Sequence, residues 1–167
     1  IGLEGGEDLK FARLVAAHIG SKHTEVVLSE DDFFGAIEEV VSRIESYDTT
    51  TVRASVGNYL IGKYIAANSE AKVIFNGDGS DEVAGGYMYF HAAPDALSFD
   101  AECRRLLQRI HYFDVLRSDR CISNHGLEPR TPFLDRGFVQ TYLSIPVEFR
   151  VPQAGQREKT LIREAFD

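Results

Sequence analysis

From Asn76 to Tyr87 the chain reads Asn-Gly-Asp-Gly-Ser-Asp-Glu-Val-Ala-Gly-Gly-Tyr, with three carboxylates (Asp78, Asp81 and Glu82) inside five residues. Carboxylates this dense repel a phosphate unless a divalent cation stands between them. Mg²⁺ sites commonly combine one or two carboxylates with substrate phosphates. Small residues let the backbone approach a ligand, and free amides at a helix start favour an anion. The stretch is not a Walker A loop, because no Gly-Lys-Ser/Thr follows. It is not the dinucleotide fingerprint either, since Glu82 stands where the third glycine belongs. The chemistry these residues suggest is a magnesium-dependent nucleotide or pyrophosphate site. From pattern alone, an acidic glycine-rich turn that merely caps a helix is an equal alternative.

Other groups are weaker signals. Thr49-Thr50-Thr51-Val52-Arg53 could offer hydroxyls and a guanidinium to an anion at a helix start, or could serve only as an ordinary N-cap. Asp114 and Arg117 lie three apart, the spacing of a helical ion pair. Glu128 and Arg130 sit beside Pro129 in what reads as a loop, where chemistry is often carried. The five histidines form no i,i+4 metal pair and read as surface or packing residues. Cys103 and Cys121 form no Cys-x-x-Cys pair, so neither a zinc ribbon nor a disulfide framework is supported. Two idle thiols in a reducing compartment is the plain reading.

The elements that must position these groups follow from periodicity. Leu9, Ala12, Ala16 and Ile19 mark a helix over residues 8–19, stopped by Gly20. Glu25 to Leu28 reads as a short strand, and Ser29 with Asp32 resembles a capping box. The helix it opens carries Phe33, Ile37, Val40, Val41 and Ile44 as one stripe. A further helix is expected from about Val52 to Ala67. Val73-Ile74-Phe75 is the short apolar run of a strand buried on both faces of a parallel sheet, and the acidic stretch follows it directly. In open parallel sheets, ligands bind outside the carboxyl ends of the strands. Beyond Tyr89 the chain reads as helical: one long helix from Phe99 to about Ser123, packed through Leu106, Ile110, Phe113 and Leu116, a helix at 134–143, and a last one from Thr160 to Phe166, closed by Asp167. No strand is expected in this second half.

Strand, crossover helix and strand indicate an α/β fold. The chain has 167 residues, 44% of them apolar, enough for one globular core. Its net charge of −8 argues against a general nucleic-acid binder. No apolar run approaches the roughly 18 residues that a membrane span needs. The chain opens on Ile1, its only methionine is Met88, and its last helix runs to the end. The expectation is a segment of a longer protein.

Taken together and in order, these segments resemble the synthetase domain of the glutamine-hydrolysing asparagine synthetases. The resemblance rests on Gly2 with Asp8-Leu9 and on Ser46-Tyr47-Asp48-Thr49-Thr50-Thr51-Val52-Arg53-Ala54-Ser55. It continues through Asn76 to Tyr87, Tyr89-Phe90-His91 and Ala93-Pro94. Phe113-Asp114-Val115-Leu116-Arg117, Gly126 to Asp135, and Glu158-Lys159 with Leu161-Ile162-Arg163 complete it. Asp78 stands where many members carry Glu, Asn76 where Ser is usual, and Pro129 where an aliphatic residue is usual. The family's Ser-Gly-Gly-x-Asp-Ser loop and its N-terminal cysteine nucleophile are not among these residues, nor is its late lysine.

The resemblance implies a parallel-sheet pyrophosphate-loop ATPase fold (adenine nucleotide α-hydrolase-like), here partial, with an α/β part at 1–92 and a helical part at 93–167. It implies that ATP activates aspartate as aspartyl-AMP and that ammonia from a glutaminase domain then displaces AMP. By position, Asp81 would bind Mg²⁺, and Asp78 would lie near the reacting centre. Asn76, Gly77 and Ile1 would line the nucleotide, and Thr50, Thr51 and Arg53 would contact phosphates. Arg117, with Asp114 and Glu82, would hold aspartate. The family further implies a cytoplasmic enzyme, a homodimer at full length, and no nucleic-acid or membrane partner. Two alternatives stay open at this point: a non-catalytic remnant that binds a nucleotide or partner, and a β-lactam-forming relative.

Overall fold

A computed structural model describes residues 1–153 and 155–166. Along them run β1 (Gly2–Leu3), α1 (Glu7–Ile19), β2 (Val27–Leu28), α2 (Glu30–Gly35), α3 (Ile37–Ile44), α4 (Thr49–Asn68), β3 (Val73–Phe75) and α5 (Ser80–Ala84). There follow α6 (Ala96–Arg109), α7 (Asp114–Ser123), β4 (Glu128–Arg130), α8 (Arg136–Ser144), α9 (Val147–Arg150) and α10 (Thr160–Glu164). The chain divides into two compact units, Ile1–Lys72 with Arg117–Glu128, and Val73–Leu116 with Pro129–Asp167.

In the first unit β1 pairs with β2 in parallel, Gly2 opposite Val27 and Leu3 opposite Leu28. The strand expected at 25–28 thus keeps only its last two residues. α1 buries Leu9 and Ala16 and ends on Gly20 in the left-handed conformation. Ala12 and Ile19, expected on the same buried face, are exposed. The Ser29–Asp32 capping box is present: the Asp32 amide donates to Ser29 Oγ at 3.2 Å, and the Ser29 amide to Asp32 Oδ2 at 2.8 Å. The single helix expected after it is two, α2 and α3, because Gly35 and its neighbour Ala36 interrupt the helix. α4 starts three residues earlier than expected and takes in Thr49–Thr51, since Asp48 caps it by accepting the Thr51 amide at 2.8 Å. Val40, Ile44, Val56, Tyr59 and Cys121 form the core of this unit. Cys121 Sγ donates to Ser55 O at 3.5 Å, and the Arg120 guanidinium reaches Ile44 O, tying α7 to α3 and α4.

In the second unit Phe90, Phe99, Cys103 and Leu106 make one cluster, with Val147 and Val151 against it. Val83, Ala84 and Tyr142 make another, joined by Leu161 and Ile162. Arg150 is buried and pairs with Asp100, while its Nε donates to Ile145 O at 2.9 Å. Burial pushes the Cys103 thiol up to about 12 and raises that of Cys121, so both stay protonated and unreactive at neutral pH.

Four expectations for this half are corrected. The long helix from Phe99 to Ser123 is broken: α6 tightens into a 3-10 turn at Ile110–Tyr112, and Phe113 leaves helical space at φ −135° and ψ −84°. The run His111-Tyr112-Phe113 is poor in helix formers. β4 is a strand where a loop was expected. The Asn76 amide donates to Arg130 O at 3.0 Å and the Glu128 amide to Lys72 O at 2.7 Å, the two chains advancing together. Pro129 is tolerated because a sheet-edge position leaves its missing N–H unneeded. β3 is not buried on both faces: it belongs to a two-stranded sheet, and Phe75 is 75% exposed. The last helix stops at Glu164 rather than Phe166; Asp167 lies outside the described residues. Among those described, no helix is long and apolar enough to cross a membrane.

Candidate functional site

The acidic stretch occupies the turn from β3 into α5, outside the carboxyl end of the strand. Its first half is an Asx turn, the Asp78 amide donating to Asn76 Oδ1 at 3.2 Å. Gly79 then turns left-handed and opens α5, and the Val83 amide closes on Gly79 O at 3.0 Å. Asn76 and Asp78 are half-buried and Gly77 is exposed. The three carboxylates have different fates. Glu82 is fully buried: one oxygen accepts the Tyr87 hydroxyl, and the other, Oε2, has no hydrogen-bond partner. Asp81 is half-exposed, its side chain 35% accessible. Its Oδ1 lies 2.9 Å from Lys159 Nζ, and the same ammonium donates to Ser80 Oγ at 3.2 Å.

Two local features hold that ion pair in place. A Cβ on Gly86 would stand 2.0 Å from Asp81 Oδ1 and 2.3 Å from Lys159 Cε, so a larger residue there would push the two side chains from their present meeting point. Lys159 itself has φ +57°, left-handed for a residue with a side chain. That conformation costs roughly 1–2 kcal/mol, whereas a half-exposed ion pair returns about 0–1 kcal/mol. The sequence reading included Lys159 in the resemblance but gave it no role. No local signal could have supplied one, because its partner Ser80 lies 79 residues away.

As to whether the turn suits Mg²⁺, no group of three or more His, Cys, Asp or Glu residues among those described is arranged to hold a metal. Asp81 is an accessible carboxylate on a glycine-rich turn. One such carboxylate fits Mg²⁺ that also binds substrate phosphates, and does not fit an all-protein metal cage.

The remaining candidates divide between the units. In the first, Thr50 and Arg53 are exposed on the opening turn of α4, three apart and so on one face. Thr51 is buried, its amide bound to Asp48, whose carboxyl that bond holds below the usual carboxylate range. Arg53 also borders an apolar groove of about 550 Å³ between Phe33, Ile37 and Val56. Ile1 is half-buried ahead of β1, and Arg117 is half-buried on α7. In the second unit Asp114 is buried as the first residue of α7. Of the histidines, His125 packs its ring 4.5 Å from Tyr59, and burial lowers its pKa; it is a packing residue.

The model of the asparagine synthase family matches residues 1–99 and 93–167. The glutamine-hydrolyzing asparagine synthetase of Homo sapiens is 52% identical over all 167 residues, and that of Gallus gallus 51%. The enzyme of the same name from Mus musculus is 51% identical. The chain spans about 30% of the length of each of these relatives. With a family match that runs from the first residue to the last and an acidic turn seated at the end of a strand, this chain belongs to the asparagine synthase family.

Proposed function

We propose that these residues form part of an ATP-dependent asparagine synthetase, a cytoplasmic carbon–nitrogen ligase with the pyrophosphate-loop ATPase fold. A carboxylate oxygen of aspartate attacks the α-phosphorus of ATP, the bond to the β-phosphate breaks, and pyrophosphate leaves with aspartyl-AMP formed. Ammonia, released from glutamine by a separate glutaminase domain, then attacks the acyl carbon. AMP departs with the bonding electrons and asparagine remains. The observation that carries this reading is the 51–52% identity over the whole chain to glutamine-hydrolyzing asparagine synthetases.

In this reading Asp81 would hold Mg²⁺, which when bound neutralises charge on the pyrophosphate side. Asn76 and Gly77 line the nucleotide with the exposed backbone of the turn, and Ile1 meets the adenine. Asp78 steers ammonia and takes the proton it sheds. Thr50 and Arg53 face the phosphates from the positive end of α4, and Thr51 keeps that turn in register through its bond to Asp48. Arg117 binds the aspartate carboxylate, and Asp114 and Glu82 are counted with it as aspartate-binding residues by their place in the family's motifs. At full length the enzyme is a homodimer.

The test is aspartate-dependent pyrophosphate release by the protein that carries this chain, with asparagine formed in equal amount. Release that is indifferent to aspartate overturns the proposal. The 167 residues alone, without a Ser-Gly-Gly-x-Asp-Ser loop, are expected to make no asparagine.

A further inference from the structure

Glu45 closes α3 at φ +54°, left-handed for a residue with a side chain. The helix goes no further: the Asp48 amide, next in line for Ile44 O, donates to Ser46 Oγ at 3.2 Å instead. Ile44 is fully buried, so its carbonyl needs another donor. The Arg120 guanidinium supplies one from α7, and it also lies 3.1 Å from the Glu45 carboxylate. The pair with Glu45 is largely exposed and contributes little by itself. The bond to the buried carbonyl is what fastens the two helices. Arg117 stands three residues before Arg120 and four before Cys121, so all three share one face of α7. Cys121 is buried with Ile44 and Val56, and its Sγ donates to Ser55 O on α4 at 3.5 Å. The face that carries Arg117 is therefore fastened to α3 by Arg120 and to α4 by Cys121, all within the first unit.

We propose that Arg120 is a positioning residue for Arg117: by gripping the end of α3 it sets the rotation of α7, and with it the place where the Arg117 guanidinium meets aspartate. The inference rests on the reading of Arg117 as the aspartate-binding group. Arg120 itself touches no substrate. In the adenylation step the attacking carboxylate must lie in line with the α-phosphorus, and a misplacement of about 1 Å costs about 10²-fold. A guanidinium suits the task, because its rigid fork presents several donors and reaches the carbonyl and the carboxylate together. The opening turn of α4 does not depend on Arg120 in the same way. Asp48 caps it through the Thr51 amide at 2.8 Å and sets Thr50 and Arg53 from within the helix. Loss of Arg120 therefore moves the aspartate-binding group and leaves the phosphate-facing groups where they are.

The experiment is steady-state kinetics of aspartate-dependent pyrophosphate release by the protein that carries this chain, as wild type, Arg120→Met, and Arg120→Met combined with Glu45→Gly. Arg120→Met is expected to lower kcat/KM for aspartate about ten- to a hundredfold, leave KM for ATP within about twofold, and lower the melting temperature. Glu45→Gly relieves the left-handed residue. It is expected to return the melting temperature towards wild type without returning the aspartate kinetics. If Arg120 is merely structural, kinetics and melting temperature recover together, and the inference falls. It falls too if Arg120→Met keeps the wild-type kcat/KM for aspartate. Should the methionine variant not fold, Arg120→Lys is read in its place, with losses in the same direction. Failure of the underlying reading looks different: wild type then ignores aspartate, or Arg117→Ala leaves KM for aspartate unchanged, and both proposals fall together.

Discussion

The opening turn of α4 and the turn after β3 both offer groups suited to a phosphate, and they are built in opposite ways. The α4 turn is local: Asp48 caps it through Thr51, three residues on, and a 20-residue helix carries Thr50 and Arg53. The acidic turn leads only into the five-residue α5. Its shape depends on Arg130 accepting the Asn76 amide, on Phe99 packed where a Gly85 Cβ would stand, and on Lys159. A group on a capped helix keeps its place through its own neighbours in sequence. A group on a short strand-to-helix turn keeps its place only while distant segments stay packed around it.

The largest expected difference between the two regions lies in catalysis. Asp81→Ala should lower pyrophosphate release by about 10²–10³-fold, the scale for removing a charge-stabilising group. Thr50→Ala, which deletes one neutral hydroxyl, should cost about tenfold or less. Steady-state rates at saturating ATP check both, and equal losses would erase the contrast.

Stability comes next. Phe99 and Ile44 are both fully buried, one beside the acidic turn and the other in the α3–α4–α7 core. Phe99→Ala is expected to cost about 3–5 kcal/mol and Ile44→Ala about 2–5 kcal/mol in urea unfolding. The sharper reading is where the damage shows. Phe99→Ala should loosen magnesium–pyrophosphate binding, and Ile44→Ala, in a cluster that shares no residue with that of Phe99, should leave it within about twofold.

Acid should act on the α4 turn in a defined direction. The Asp48 carboxyl is held below its ordinary value by the Thr51 amide. Its contribution is therefore fully present above the unfolded carboxylate pKa of about 3.9 and is lost as pH falls through the lower folded value. The protection of the Thr51 amide, measured as its exchange rate relative to the intrinsic rate at each pH, should fall in that window as pH is lowered from 5, and Asp48→Ala should remove the dependence. The smallest effect concerns β3. With Phe75 and Val73 exposed, its amides should exchange faster than those in the middle of α4. Strong protection through residues 72–76 would contradict the two-stranded sheet.

Sequence alone resolved what is local. The Ser29 capping box, the Gly20 stop and the extent of α1 rest on neighbouring residues and are present as read. The place of residues 76–87, directly after a strand and leading into a helix, was legible too, while pattern alone left their chemistry open between a magnesium site and a capping turn. What escaped was tertiary. The Phe113 break depends on how residues on either side of a continuous apolar stripe are packed, and the stripe itself gives no sign of it. β4 was hidden because Pro129 within it and Pro132 just after it resemble a loop until Arg130 is seen to accept the Asn76 amide. Val73-Ile74-Phe75 looked buried because burial of an apolar run depends on the layers around it, which the run itself does not encode. Lys159 was visible only as part of a resembling segment, without a role, until its ammonium was placed against Asp81.

The most direct test is magnesium-dependent exchange of labelled pyrophosphate into ATP, started with aspartate, in the protein that carries this chain and in its Asp81→Asn variant. Exchange that requires both aspartate and Mg²⁺ in the wild type, and falls at least a hundredfold in Asp81→Asn (on the scale of a lost charge-stabilising group, about 10²-fold or more), is the predicted result. Undiminished exchange in the variant would contradict the account.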